Sequence, residues 1–432
     1  MEASSGPRAL SVGQMTAPCL LVEVEISIGA PSVPSQNSSE PARCAWLLVR
    51  HHTEPIGSIV VELPPEGLST EQLALVIQEE LGVKVATNSG GGVKEESSEP
   101  MFLSSRQEVL RFAPKMTVIV CTHERPEGLE TCLQSLISQE YPNYSILVVD
   151  NAPSTKRTKA VVDRFTASSI GYVVEPQKGL SWARTKAIRT VTEGILAWID
   201  DDEIADPHWL AELARGFYNH PEADAVSGVM VPGELETWAQ VLFEQYGGFN
   251  MHRGFTPALF SPDTARIQSP FYPLPLFGAG GNMAVRSTGL ARIGGFDVAL
   301  GAGGRCMAGE DTRLFTDLLC TGGTVVYQPT AITRHFHRRR MEDLHIQMFG
   351  YGVGLTAFYM SLVVSRPQSI LQLIRLLPIA LRELFTRQSL QTGDLPSNFP
   401  TELIRTKRRG MLLGPIFYLR SRVETARIAR KK

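Results

Sequence analysis

The sequence predicts an α/β protein: a mostly parallel sheet covered by helices, with a small α+β module before it and a helical extension after it. Three observations carry this. Between Lys115 and Ile199, apolar runs of strand length alternate with segments of helical period, the pattern of a parallel sheet with crossover helices. Between Pro18 and Leu63 strand-like runs follow one another directly, and one capped helix closes the unit. Beyond Met341 a long uncharged run leads into a basic tail. The expected organisation is an α+β module over 17–85, a flexible linker over 86–112, an α/β domain over 113–340 and a helical, basic extension over 341–432.

The 432 residues suffice for two or three domains with sizeable cores. A formal net charge of −2 gives no argument for a nucleic-acid partner, and none is expected. The six cysteines form no CxxC pair and no zinc spacing, as in a reduced cytoplasmic chain with packed thiols. The N-terminus, with Glu2 and no basic-then-apolar run, predicts no secretory leader.

Residues 1–16 are small and polar and read as loose. Leu20 to Ser27 alternates apolar and polar residues; Cys44–Arg50 and Ile59–Leu63 flank a turn with Pro55 and Gly57, the expected hairpin. Ser69 caps a helix, Gln72 completes a capping box, and Leu73, Val76, Ile77 and Leu81 share a face ended by Gly82. His51 and His52 read as turn residues at the surface. Ala86 to Arg106, with Asn-Ser-Gly-Gly-Gly and Glu-Glu-Ser-Ser-Glu-Pro, reads as linker.

In the second rhythm, Met116–Val120, Tyr144–Val149, Ile170–Val174 and Ile195–Ile199 are strands. Leu129, Cys132, Leu133, Leu136 and Ile137, then Val161, Val162 and Phe165, then Ser181 to Val191 mark helices. Ligands of such sheets bind at the carboxyl ends of the strands. That edge carries Thr122-His-Glu-Arg125, Asp150-Asn151 and Asp200-Asp-Asp202. The last strand runs into four carboxylates, Asp200 to Glu203. Adjacent carboxylates repel unless a cation sits among them, and hard oxygen ligands suit Mg²⁺ or Mn²⁺, which also binds phosphate oxygens. A solvated acidic turn before Pro207 reads the same way. No GxGxxG follows the first strand and no GxxxxGK[ST] is present, which disfavours dinucleotide and P-loop folds.

Met116-Thr-Val-Ile-Val-Cys-Thr-His-Glu-Arg-Pro-Glu-Gly128, Leu147-Val-Val-Asp-Asn151, Gly179-Leu-Ser-Trp-Ala-Arg184 and Trp198-Ile-Asp-Asp-Asp202, followed by Gly278-Ala-Gly-Gly-Asn-Met283, Gly294-Gly-Phe-Asp297 and Gly309-Glu-Asp311, resemble in order the motifs of family-2 glycosyltransferases of bacterial type. The resemblance covers about Lys115 to Arg340. Two departures are Cys121, where proline is common, and Thr185-Lys186, where asparagine is frequent; neither removes a charged group.

The resemblance implies a GT-A nucleotide-sugar-binding fold and inverting transfer in cell-surface or exopolysaccharide synthesis. The donor is then a nucleotide sugar, with UDP expected, and the acceptor is a glycan or lipid-linked. It implies that Thr122, Glu124 and Asp150, with Arg125 and Asp201, hold the donor nucleoside, and that Lys178 and Arg184 lie near base or diphosphate. Asp200 and Asp202 would be the DxD pair, Asp202 binding Mg²⁺ or Mn²⁺ directly and Asp200 lying near the donor ribose or the metal, with His335 or His337 completing the shell. Asp311, beside Glu310, would be the catalytic base. Asn282 and Met283 would shape the sugar or acceptor pocket. Each has a plainer counterpart: a helix N-terminal cap for Glu310-Asp311, partners of the basic run for the histidines, and glycine packing for Asn282.

Ile346 to Ser365 is uncharged and near spanning length, while Ile370 to Phe385 is broken by Arg375 and Pro378. The pair reads as helices in the membrane interface or docked on the α/β domain. The bases from Arg405 to Lys432 suit an anionic membrane leaflet, so peripheral contact at the inner face of the cell membrane is expected. The alternatives are a nucleotidyltransferase, disfavoured by the poor phosphate loop Thr122-His-Glu-Arg, and a silent binding or scaffold protein that keeps the fold.

Overall fold

The structure is a computed structural model that describes residues 7–34, 40–88, 101–165, 170–249, 253–263, 277–375, 378 and 395–430. In the N-terminal module, strands β1 (Ala9–Leu10), β2 (Cys19–Glu25), β3 (Cys44–His51) and β4 (Glu54–Glu62) form a sheet of order β1-β4-β3-β2, backed by helix α1 (Thr70–Asn88). The Ser69–Gln72 capping box is present: Gln72 N–H donates to Ser69 Oγ and Ser69 N–H to Gln72 Oε1. Three expectations change. Residues 9–10 pair with β4 and Met15 is buried, so this stretch is not loose. The hairpin turns at His52 and Thr53, both at positive φ, while Pro55 and Gly57 lie inside β4. Helix α1 runs through Gly82 to Asn88, because one glycine in a helix interior costs only about 1 kcal/mol.

The expected linker over 86–112 also changes in its second half, where α2 (Met101–Arg111) forms; residues 89–100 lie outside the described residues. The physical reason is tertiary. Val109 is buried, and Arg106 enters a buried ion cluster with Glu54, Glu212 and Arg215. Arg50 bonds Asp206, and Arg334 bonds Glu23. Cys19, Cys44, Trp46 and Val60 share a core with Val229, Val231, Tyr327 and Ile332. The module is thereby fixed to the α/β domain by both apolar and ionic contacts.

That domain contains β5 (Met116–Thr122), α3 (Pro126–Ile137), β6 (Tyr144–Asn151), α4 (Arg157–Val162), β7 (Ile170–Glu175), α5 (Leu180–Thr190), β8 (Ile195–Asp200), β9 (Glu203–Ala205) and α6 (Trp209–Asn219). It continues through β10 (Ala225–Pro232), α7 (Trp238–Gln245), β11 (Ala258–Phe260), β12 (Met283–Arg286), α8 (Ser287–Ile293), α9 (Glu310–Cys320) and β13 (Val325–His335). Among the described residues the strand order is β11-β13-β10-β12-β8-β5-β6-β7, with β9 on β13. Strands β8, β5, β6 and β7 are parallel, as expected, while β12 runs antiparallel between β8 and β10.

Alternation along the strands decides the layers. Val118 and Val120 face a core with Leu129, Leu133, Trp209 and Leu213 of α3 and α6. Ile119 and Cys121 face the other, with Ala183, Ala187, Leu314 and Leu318 of α5 and α9.

The extension contributes α10 (Met341–Ser365) and α11 (Thr401–Ala429). Their contact is built on glycine. A Cβ on Gly352 would lie 1.9 Å from Lys407 O, on Gly410 2.2 Å from Phe349 O, and on Gly414 2.4 Å from Val353 O. Helix α10 is long and apolar enough to cross a membrane by length and composition, and half of its apolar window is buried inside the protein. Arg305 pairs with Glu424, Tyr418 O–H donates to Asp297, and Ser421 O–H to Ala299 O. Both helices are thus docked on the α/β domain. The run expected over 370–385 is described only as far as Arg375, and at Pro378.

Candidate active site

The carboxyl ends of β5, β6 and β8 open into a cleft of about 840 Å³. Each sequence-selected strand end contributes to it, through Thr122, Arg125, Asn151, Asp200, Asp201 and Asp202. Lys178 and Arg184 come from the β7–α5 connection and α5, and Glu310 and Asp311 from the start of α9. The far wall is Tyr246 and Phe249, with Gln347, Tyr351 and Phe358 of α10 and Lys407 of α11.

The three aspartates have different partners. Asp201 is buried and accepts from Thr122 O–H at 2.6 Å and from Arg125 at 3.1 Å. Burial first, then the Asp202 charge, pushes its carboxyl up to about 6. Asp202 accepts from Arg125 at 2.7 Å, with Arg338 3.9 Å away and His335 Nε2 at 3.5 Å. Burial opposes its charge, but the fields of His335, Arg125 and Arg338 outweigh it and hold the carboxyl below its ordinary value. His335 itself is pushed down to about 3 by burial, so the two guanidinium groups are the charges that persist at neutral pH.

Asp200 faces the fully buried Arg184, whose Nη2 lies 3.5 Å from its Oδ1. The same guanidinium lies 3.2 Å from Glu310 Oε1 and donates to Gly280 O at 3.0 Å. Arg184 thereby ties the acids of β8 to those of α9. Burial, with Asp311 next, pushes Glu310 up to about 7 against the pull of Arg184. Asp311 is fixed by Gly280 N–H at 2.9 Å and Thr312 N–H at 2.6 Å.

The glycines over the acids are there for close approach. A Cβ on Gly281 would lie 2.1 Å from Glu203 Oε1 and 2.8 Å from Asp200 Oδ2. Glu203 is buried behind Asp200, and burial holds its carboxyl well above the ordinary range. It belongs to the acidic run but had no role assigned from sequence. Arg338 had no role assigned either; its place beside His337 was the signal. Tyr246, Phe249, Tyr351 and Lys407 carried no signal, because helix packing alone brings them to the cleft.

Several expected site residues lie elsewhere. Asn282 is fully buried and does not shape a pocket: its amide donates to Val229 O and Ala331 O, and its oxygen accepts from Trp209 Nε1. Met283 is in the core beside Trp198, pointing inward because β12 pairs with β8 there. Asp150 is buried beneath the cleft and accepts from Tyr172 O–H at 2.6 Å. Glu124 holds the 154–155 turn, accepting from Ser154 N–H at 2.6 Å.

The expected metal shell of Asp200 and Asp202 with His335 or His337 is not assembled either. His337 bonds Glu244 at 2.8 Å and its other nitrogen lies 3.0 Å from His335. Asp200 is turned to Arg184. Among the described residues no group of three or more Asp, Glu, His or Cys side chains is disposed to hold a metal ion. What fits is a smaller donor set, Asp202 Oδ1 facing the neutral His335 Nε2 at 3.5 Å. Two protein ligands suit Mg²⁺ or Mn²⁺, which keeps waters and takes phosphate oxygens.

Residues 117–286 match the family described as Glycosyl transferase family 2. A glucosyl-dolichyl phosphate glucuronosyltransferase of Haloferax volcanii is 27% identical over 230 residues, 51% of this chain and 69% of that protein. The succinoglycan biosynthesis protein ExoM of Rhizobium meliloti is 30% identical over 225 residues, 49% of this chain and 63% of that protein. A mannosyltransferase of Pyrobaculum calidifontis, solved with GDP-Man and Mn²⁺, aligns over 74% of this chain and 94% of its own, at 19% identity and a TM-score of 0.44.

Proposed function

From the match of residues 117–286 to glycosyltransferase family 2, we propose an inverting, metal-dependent transfer of sugar from a nucleotide-sugar donor to an acceptor hydroxyl in glycan or polysaccharide synthesis. UDP is the nucleotide proposed, and the acceptor is a glycan or lipid-linked, met at the cytoplasmic face of the cell membrane. The observation that supports this most is the pairing of two acid sets in one cleft. Asp200 to Asp202 lie on one side and Asp311 on the other, joined through Arg184 and Glu310.

In a single in-line displacement the acceptor oxygen bonds the anomeric carbon as the bond to the diphosphate oxygen breaks. The acceptor proton passes to Asp311, whose carboxylate is aimed by the Gly280 and Thr312 amides. Asp202 and His335 would hold a Mg²⁺ or Mn²⁺, which would supply charge neutralisation at the departing diphosphate. Arg125, paired with Asp201 and Asp202, lines the same cleft and adds positive charge on the side where the diphosphate would lie. Lys178 is exposed at the rim, in reach of an incoming nucleotide. Glu310 holds Arg184 in position and does not touch substrate.

The test is binding and slow hydrolysis of a panel of UDP-, GDP- and dTDP-sugars by the purified chain, with and without Mn²⁺ or Mg²⁺. Metal-dependent release of one nucleotide class is the expected result. Nucleotide binding without any turnover would favour a silent binding protein. Failure to bind every donor with either metal would refute the transferase reading.

A further inference from the structure

Helix α11 has two faces. Its inner face, with Leu403, Gly410, Gly414, Tyr418 and Ser421 buried, packs on α10 and the α/β domain. At 100° per residue, the opposite face lies within about 60° of Ile416. It shows Leu412 at 67% exposure, Leu413 at 37%, Ile416 at 49%, Leu419 at 44% and Val423 at 52%. Such a continuous apolar stripe is not what a free water-facing helix carries.

The same face is bracketed mainly by basic charge, with Glu402 an exposed carboxylate at its start. Arg405 and Arg409 precede the stripe, Arg420 lies within it, and Arg427 and Arg430 follow, all exposed. Between Arg405 and Arg430 this face carries no carboxylate; Glu424 stands at its flank and is engaged by Arg305. An apolar centre with arginine at both ends is the pattern of a helix lying in a bilayer interface, its side chains sunk among acyl chains and its guanidinium groups at anionic headgroups.

We propose that the outer face of α11 docks this protein on an anionic bilayer surface. The assignment falls on α11, not on the apolar run of α10, whose window is half buried in the protein. A second copy of the chain is a poor occupant, because a two-fold pairing of this face would set arginines against arginines. Docking has a consequence for the cleft. Helix α11 also places Lys407 in the cleft wall from its inner side, and α10 adds Ile346, 58% exposed. The far wall of the cleft, to which Lys407 and Ile346 belong, is then held about one helix diameter, roughly 10 Å, from the membrane. That deepens the glycosyl-transfer reading, on which it rests, by favouring an acceptor presented at a lipid surface.

The experiment is co-sedimentation of the full chain with vesicles of phosphatidylcholine alone or mixed with phosphatidylglycerol, at low and high salt. Binding to the mixed vesicles is expected to be at least tenfold tighter and to weaken in high salt. It should fall about fivefold for each arginine replaced in the series Arg405→Gln, Arg409→Gln, Arg427→Gln and Arg430→Gln. The triple variant Leu412→Ser/Ile416→Ser/Val423→Ser should lose tenfold or more while donor hydrolysis stays unchanged, which excludes misfolding. Equal binding to both vesicle types, no binding, or indifference to both sets of changes would overturn the proposal. So would a dimer in solution that the triple variant dissolves. Donor hydrolysis without vesicle binding sinks the docking alone, whereas vesicle binding without hydrolysis sinks the transferase reading.

Discussion

Replacing Arg184 by methionine should be among the costliest single changes in this protein, and the cost should depend on pH. The side chain is 2% exposed, lies over the Phe296 ring, and faces Glu310 at 3.2 Å and Asp200 at 3.5 Å. Methionine keeps the apolar contact but leaves Glu310, itself buried, and Gly280 O without their partner. Breaking a buried ion pair from one side costs about 3–5 kcal/mol. For a cooperative chain of this length that is roughly 3–6 °C in melting temperature.

Glu310 decides the pH dependence. Its folded-state pKa, raised by burial and Asp311 to about 7, lies above the ordinary carboxyl value. Its contribution to stability is therefore complete at acid pH and is lost as pH rises through about 7. Without Arg184 the carboxyl keeps its proton to higher pH, so the loss extends further. Urea denaturation at about pH 5.5 and about pH 8.5 should show a small cost in acid and the full cost in base. Adding Glu310→Gln should recover about 1–3 kcal/mol at the higher pH. A cost below about 1 kcal/mol, flat across pH and unchanged by the second substitution, would refute the claim that Arg184 balances these acids.

Other substitutions separate structural from chemical roles. Asp202→Ala should abolish metal-dependent nucleotide binding, read by calorimetry, and Asp311→Asn should retain nucleotide binding while transfer falls by about 10²–10⁴-fold. Asn282→Ala should cost about 2–4 kcal/mol, since two carbonyls and an indole lose their partner, with the donor KM of the folded enzyme unchanged. Arg215→Ala should cost about 3–5 kcal/mol by leaving Glu54 and Glu212 buried and underpaired, measured by urea denaturation. Gly414→Val would drive a Cβ to 2.0 Å from Thr356 Oγ1; it should cost about 3 kcal/mol and speed hydrogen exchange in α11 before α3 or α6.

The parallel half of the sheet was legible because β5, β6 and β8 are largely buried on both sides and read as plain apolar runs. The acids at their ends were legible because chain topology alone sends strand ends to one edge. Asn282 and Met283 were misplaced for a related reason. A glycine-rich loop looks the same whether it opens a pocket or lies flat on buried acids, and only the antiparallel entry of β12 turns these side chains inward. Helix α2 was missed because its main attachment is the pairing of Arg106 with Glu54 and Glu212, distant in sequence.

By itself the sequence determined the α/β class, the resemblance to family-2 glycosyltransferases and the acids at the strand ends, since these follow from local periodicity and from motifs of adjacent residues. Tertiary structure alone decided which acid faces which cation, which histidine faces Asp202, and how the helical extension closes the cleft. Those outcomes depend on contacts between residues tens to hundreds of positions apart. Burial and charge balance choose among such contacts only once the chain has packed.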